Sequence, residues 1–199
     1  MKWIFLATED ELSEKVGIRL ATEAGLEIGQ CLRRNGFGYL KSRVANFCQM
    51  AKQAPVLLIT DLDRKQCANT LIDDWLGNHE KPENFLFRVA IREVESWILA
   101  DQEALRKLLG KKGQLPHRPD ELADPKSAFL SLAQNAPKNI KEELVAQRGS
   151  VSSQGVGYNA ILGQWVSESW SPTRAAERSP SLQRTRQRLL ELSERLKKT

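Results

Sequence analysis

Apolar and polar positions along the first half of the chain switch repeatedly between a two-residue and a three-to-four-residue period. Residues 2–8 (KWIFLAT) are a short apolar run that predicts a strand. Residues 10–25 (DELSEKVGIRLATEAG) set Leu12, Val16 and Leu20 four apart, the spacing of one helix face, and Gly25 supplies the stop. Residues 26–33 (LEIGQCLR) predict a second strand. After the turn NGFG, Leu40, Val44, Phe47 and Met50 (or Ala51) share one face of a second helix, which Pro55 ends. Val56–Thr60 suits a buried strand, 67–78 a short helix ending near Gly77, 84–91 (NFLFRVAI) a fourth strand, and 92–110 one continuous helix.

This alternation predicts an α/β fold, a mostly parallel Rossmann-like sheet flanked by helices. Beyond Gly110 the pattern changes. Residues 111–129 are rich in proline and polar groups, and helical spacing returns at 126–135 and 138–148. Residues 149–160 (GSVSSQGVGYNA) read as a flexible connector, 161–170 as helix. A last helix opens at Ser179-Pro180, with Leu182, Leu189, Leu192 and Leu196 on one face. The expected division is a core over 1–110 and a mostly helical extension over 111–199, packed on that core.

Composition alters this picture little: 41% of the 199 residues are hydrophobic and 28% charged, as in ordinary globular proteins. No apolar run of the ~20 residues a membrane-spanning helix needs is present, so the cytoplasm is the expected compartment. Cys31, Cys48 and Cys67 are isolated, and with only His79 and His117 beside them a structural zinc site is not expected. Charge placement says more. The net charge is +5, and the segment from Arg174 carries all of the excess, with Arg184, Arg186 and Arg188 at its centre. A polyanion or an acidic partner suits such a segment, as does a merely solvated helix face.

The candidate chemistry lies where strands end. The first strand exits into Thr8-Glu9-Asp10-Glu11, the third into Asp61-Leu62-Asp63 and the fourth into Arg92-Glu93-Val94-Glu95. Open α/β sheets bind ligands outside the carboxyl ends of their strands, so these acids converge on the edge where chemistry is expected. Asp61 and Asp63, two apart, can face the same way with Leu62 turned into the core. Hard cations such as Mg²⁺ favour that oxygen-rich setting. On a helix Glu93 and Glu95 diverge, and only one can reach a shared site. Simpler readings stay open: Asp61 or Asp63 as a helix cap, Thr8 and Glu11 as a capping box, Glu93 and Glu95 paired with Arg88 or Arg92. QGVGYN (154–159) is either a connector or a loop that approaches phosphate.

A glutamate after the first strand and a D-x-D after a later one, in a βα-alternating chain, resemble the Toprim domain of topoisomerases, primases and related nucleases. Asp10 stands where the Toprim pattern usually has a glycine. REVESWILAD resembles the acidic-then-aromatic helix of Toprim nucleases of the overcoming-lysogenization-defect type. Nearly the whole chain, through EVESWILAD, GVGYNAIL and AAERSPSLQRTRQRL, resembles a bacterial uncharacterised family with a Toprim-like core. The resemblance implies that Glu9 acts as general acid/base or metal ligand and that Asp61 and Asp63 hold Mg²⁺ (or Mn²⁺). Glu95 would complete the set, with Glu93 as its substitute. It implies metal-dependent hydrolysis of DNA or RNA by the effector of an anti-phage defence system, with Arg184, Arg186 and Arg188 on the nucleic-acid backbone. A partner ATPase of the ABC or SMC type belongs to the same expectation. The rival expectation is a catalytically inactive module serving such an ATPase as partner or sensor; a smaller one is phosphoryl chemistry on a nucleotide or small molecule.

Overall fold

A computed structural model describes residues 3–32, 37–147 and 149–198. Lys2 of the first expected strand, Arg33 of the second, Asn35 and Gly36 of the NGFG turn, Arg148 and Thr199 lie outside the described residues. The predicted strands appear as β1 (Trp3–Thr8), β2 (Glu27–Cys31), β3 (Val56–Asp61) and β4 (Phe85–Ala90). They form one sheet in the order β2-β1-β3-β4, and every pair is parallel. Parallel neighbours need crossovers. Here they are α1 (Glu11–Glu23), α2 (Phe37–Met50) and α3 (Ala68–Leu76). The fold is therefore α/β with a parallel sheet flanked by helices.

Strand alternation sorts the core into two layers. Val56 and Leu58, with Ala7, Phe85, Phe87 and Val89, pack against α2 and α3. Leu57 and Ile59, with Ile4, Leu6, Leu86 and Ala90, face α1 and the later helices. Those helices are α4 (Glu95–Ala100), α5 (Gln102–Leu109), α6 (Pro125–Ala133), α7 (Lys138–Leu144), α8 (Tyr158–Glu168), α9 (Pro172–Ala176) and α10 (Pro180–Lys198). Leu182, Leu189 and Leu192 of α10 are buried in the same cluster as Trp97 of α4 and Val16 of α1. Residues on both sides of position 110 thus share one continuous core.

Two local expectations are corrected. The helix predicted over 92–110 is broken at Asp101, whose backbone (φ −84, ψ 76) leaves the helical region. Periodicity continues through the break because Asp101 caps α5, accepting from the Ala104 N–H at 3.3 Å. Residues 158–160, expected in the connector, begin α8, and Ser171-Pro172 starts a short helix that periodicity did not show. Pro172 fits the first helical position, and Ser171 Oγ caps it by accepting from the Arg174 N–H. Among the described residues no helix is long and apolar enough to cross a membrane.

Asp101 also joins distant parts of the chain. Fully buried, it accepts from the Ser171 N–H at 2.7 Å and from Arg174 Nε and Nη2 at 2.9 and 2.8 Å. A buried carboxylate is tolerated when it is paired and its oxygens are satisfied, and losing the partner strands the charge. Arg174→Ala is expected to destabilise the fold by about 3 kcal/mol, read as a lower urea midpoint with an unchanged slope.

Candidate active site

Reversal of strand order creates the site. From β1 the chain moves outward to β2, then crosses back to β3 on the other side, so the carboxyl ends of β1 and β3 flank the switch point of the sheet. Glu9 follows β1 and Asp61 ends β3, with Thr8 opposite Ile59 in register. One Glu9 oxygen, Oε1, accepts from the Thr60 hydroxyl and, at 3.1 Å, from the Asp61 N–H. The glutamate is thereby fixed across the switch point.

Asp61 Oδ1 accepts from the Val94 N–H at 2.9 Å, at the start of α4. This is one N–H at a helix start, so the capping expectation holds in altered form: Asp61 serves α4, not the helix that follows it. That helix, α3, is capped by Cys67, whose sulfur accepts from the Thr70 N–H at 3.4 Å. At the first strand's exit the cap is Asp10, accepting from the Ser13 N–H at 2.8 Å, and not the Thr8–Glu11 box.

Leu62 is buried with the α2–α3 core, as its place between the two aspartates predicts. Asp63, however, has φ 50, so strand alternation ends before it and its direction follows a turn. Arg92, after β4, has φ 63. Non-glycine residues seldom take this left-handed conformation, and here two do so at adjacent strand exits. Reciprocal hydrogen bonds hold them: the Asp63 N–H donates to Arg92 O at 2.8 Å, and Arg92 Nη1 donates to Asp63 O at 2.9 Å.

Glu95 is buried at 4% exposure in the first turn of α4. The Tyr158 hydroxyl donates to its Oε1 at 2.9 Å, and Lys126 Nζ lies 3.6 Å from the same oxygen. The Lys126 ammonium also stands over the Tyr158 ring, 5.1 Å from its centre. Glu93 precedes α4 and is not on a helix, so the helical divergence expected of the pair does not apply; its Oε2 accepts from the Lys126 N–H at 2.9 Å. Neither glutamate pairs with Arg88 or Arg92. Lys126 and Tyr158 were not legible as site residues; only the aromatic in QGVGYN marked the second.

The electrostatics are those of crowded acids. Burial foremost, then the charges of Glu95, Glu9, Asp10 and Asp63, push the Asp61 carboxyl well above its ordinary range. These leading influences include no cation. Burial also raises Glu9 and Glu95, the second partly relieved by Lys126 and Tyr158. Asp61 Oδ2 and Glu9 Oε2 accept no hydrogen bond from any described residue. Two carboxylates with free oxygens and crowded charge fit a hard divalent ion, which commonly takes one or two carboxylates and fills its shell with water and substrate phosphate. Among the described residues no three His, Cys, Asp or Glu side chains are grouped to hold a metal. The structure thus joins Glu9 to Asp61 directly, keeps Glu95 within electrostatic reach but balanced by Lys126, and sets Asp63 on a strained turn.

The three arginines expected on nucleic acid separate. Arg184 and Arg188 line a cleft between α10 and β4. Arg186 is turned away: its Nε and Nη2 each donate to Glu23 at 2.8 Å, and its side chain is 18% exposed. It fastens α10 to α1, and a cation already claimed by a bidentate carboxylate has little left for phosphate.

The GVGYN loop owes its glycines to packing. A Cβ on Gly155 would sit 2.2 Å from the Glu143 carbonyl oxygen, so the loop lies against α7 and delivers Tyr158 to Glu95. Gly155→Ala is expected to cost about 1–3 kcal/mol of stability, the usual penalty of overpacking, with a lower melting temperature by calorimetry.

The family described as Domain of unknown function (DUF4276) matches residues 10–190. No curated protein and no solved structure matches the sequence. With most of its length covered by that match, the chain belongs to the DUF4276 family.

Proposed function

We propose that the protein is a divalent-metal-dependent nuclease, hydrolysing phosphodiester bonds of DNA or RNA from the switch-point edge of its sheet. The observation that carries this reading is the pair Glu9 and Asp61, fixed side by side by the Glu9–Asp61 backbone hydrogen bond, with crowded negative charge and free carboxylate oxygens. Asp61 and Glu9 would hold Mg²⁺ (or Mn²⁺), with Asp63 at the turn beside them. A bound divalent ion would polarise the phosphoryl oxygen and stabilise charge on the leaving oxygen. Glu9, raised by burial, is suited to accept and return a proton. Thr60 and the Asp61 N–H keep its carboxylate aimed at the edge. The strained Asp63–Arg92 pair sets the turn around the site.

The Toprim resemblance extends the proposal to a cytoplasmic effector of bacterial anti-phage defence, working beside an ABC- or SMC-type ATPase. One observation favours a second reading, the catalytically inactive module. Glu95 is occupied by Lys126 and Tyr158, and among the described residues no three-ligand group is formed. In that case the acids would serve docking or sensing.

Cleavage of single- and double-stranded DNA and RNA in Mg²⁺ or Mn²⁺ separates the two, assayed with the chain alone and with its partner ATPase. The nuclease reading expects metal-dependent cleavage that falls at least ~100-fold in Asp61→Asn, the scale of losing one key transition-state interaction. Absence of cleavage under all these conditions would sink it. Stability gives an independent readout. Because the folded state raises the Asp61 pKa, it keeps a proton that the unfolded chain releases near 3.8. Above that pH the linkage costs stability, increasingly until the folded value is passed. Asp61→Asn keeps an acceptor for the Val94 N–H and removes the charge. It should raise stability at neutral pH by about 0.5–2 kcal/mol in metal-free buffer. Millimolar Mg²⁺ or Mn²⁺ should raise the melting temperature of the wild type and not of this variant.

A further inference from the structure

Arg88 stands where an apolar residue would be ordinary. It lies on β4 between Leu86 and Ala90, both buried against the α1–α10 layer, and is itself partly buried. Among the described residues its hydrogen bond is from Nε to Thr185 Oγ1 of α10, at 3.4 Å, and no carboxylate pairs with it. Burial foremost, then the charges of Arg188 and Arg184, lower its pKa. Lys81 is also disfavoured by burial and by Arg88 and Arg188. Gathering cations around a recessed guanidinium costs free energy unless an anion joins them.

These arginines line a cleft of about 920 Å³ bounded by β4, α10 and the start of α3. Two of its three acids are engaged away from the arginines: Asp120 accepts from the Ser179 hydroxyl and the Ser181 N–H, and Glu121 pairs with Arg118. The third, Glu191, pairs with Arg188 within the cleft and leaves Arg88 and Arg184 without a carboxylate. Arg184 has neither an ion pair nor a hydrogen bond with any described residue. Leu62 and Arg92 also line the cleft; Leu62 lies between Asp61 and Asp63 in the chain, and Arg92 donates to the Asp63 carbonyl at 2.9 Å, which ties the cleft to the turn beside the acidic edge.

We propose that this cleft binds consecutive phosphates of a nucleic-acid strand, with Arg88 and Arg184 as the principal contacts and Arg188 at the rim. The assignment rests on the nuclease reading for its substrate class and adds the track by which a strand reaches Glu9 and Asp61. Sequence placed Arg184 and Arg188 on a basic helix; Arg88, which turns a helix face into a recessed site, comes from a strand.

The test is fluorescence anisotropy of a labelled 12-nucleotide single strand, DNA and RNA in parallel, with the full chain in EDTA from 50 to 200 mM salt. The wild type should bind with a strong salt dependence. Arg88→Gln/Arg184→Gln should weaken binding at least ~10-fold and flatten the log–log salt slope by about 1.4, at about 0.7 for each phosphate no longer neutralised. Arg184→Gln alone removes a side chain without partners among the described residues and should lower the slope by about half as much, which keeps the test valid if the double variant does not fold. Lys107→Gln, on α5, should bind like the wild type. Unchanged affinity and slope in the cleft variants would overturn the proposal. So would binding of a nucleoside triphosphate or pyrophosphate where the strand fails to bind. Asp61→Asn should still bind the strand. Cleft-dependent binding without cleavage in Mg²⁺ or Mn²⁺ would refute the nuclease and leave the cleft standing; cleavage untouched by the cleft variants would do the reverse.

Discussion

The parallel pairing of β1 with β3 is the constraint on which the rest of the molecule turns. It sets two chain exits side by side while sending the connections of β1 and β3 to opposite faces, so nothing from either crossover helix fills the notch between them. Whatever lies at those exits becomes neighbouring by topology. Here it is Glu9 and Asp61, and the bond from the Asp61 N–H to Glu9 is the smallest expression of that geometry. The crowding of acids around Asp61 follows from the same placement. The later helices, packed onto the α1 side, bury that charge and bring Glu95, Lys126 and Tyr158 up beside it.

Much of this was legible in residue order. Period-two and helical spacing marked out four strands and their crossovers, because each buried run in the first half is bounded by a turn residue. The acids at the strand exits were legible for the same reason. What sequence could not show was how each carboxylate is spent. Asp10, and not Thr8 with Glu11, caps α1; Cys67, an unusual cap, leaves Asp61 and Asp63 free of α3. The break at Asp101 was hidden because Trp97, Ile98 and Leu105 continue an apolar face across it, while the cause lies some seventy residues away in Ser171 and Arg174.

The basic C-terminal segment shows the same limit. Three arginines spaced by two residues look equivalent in a sequence. A helix rotates them to different sides, so Arg186 meets Glu23 while Arg184 and Arg188 look across a cleft to β4. Arg88 was legible only as a partner for Glu93 or Glu95, because nothing within NFLFRVAI shows that α10 will stand across from it.

The joint between Arg186 and Glu23 has a further consequence, for the order in which the protein is made. Its partners are 163 residues apart, and α10 also fills the layer over β4, through Leu182 and Leu189. A pairing of such separation can close only once α10 has been made, and topology of that kind slows folding. During synthesis the α2–α3 face of the sheet can assemble early, and α1 can cover part of the opposite face, but the part over β4 stays open until α10 emerges. Until α10 is made the sheet is therefore only partly clad, which makes this side the one a chaperone would be expected to hold.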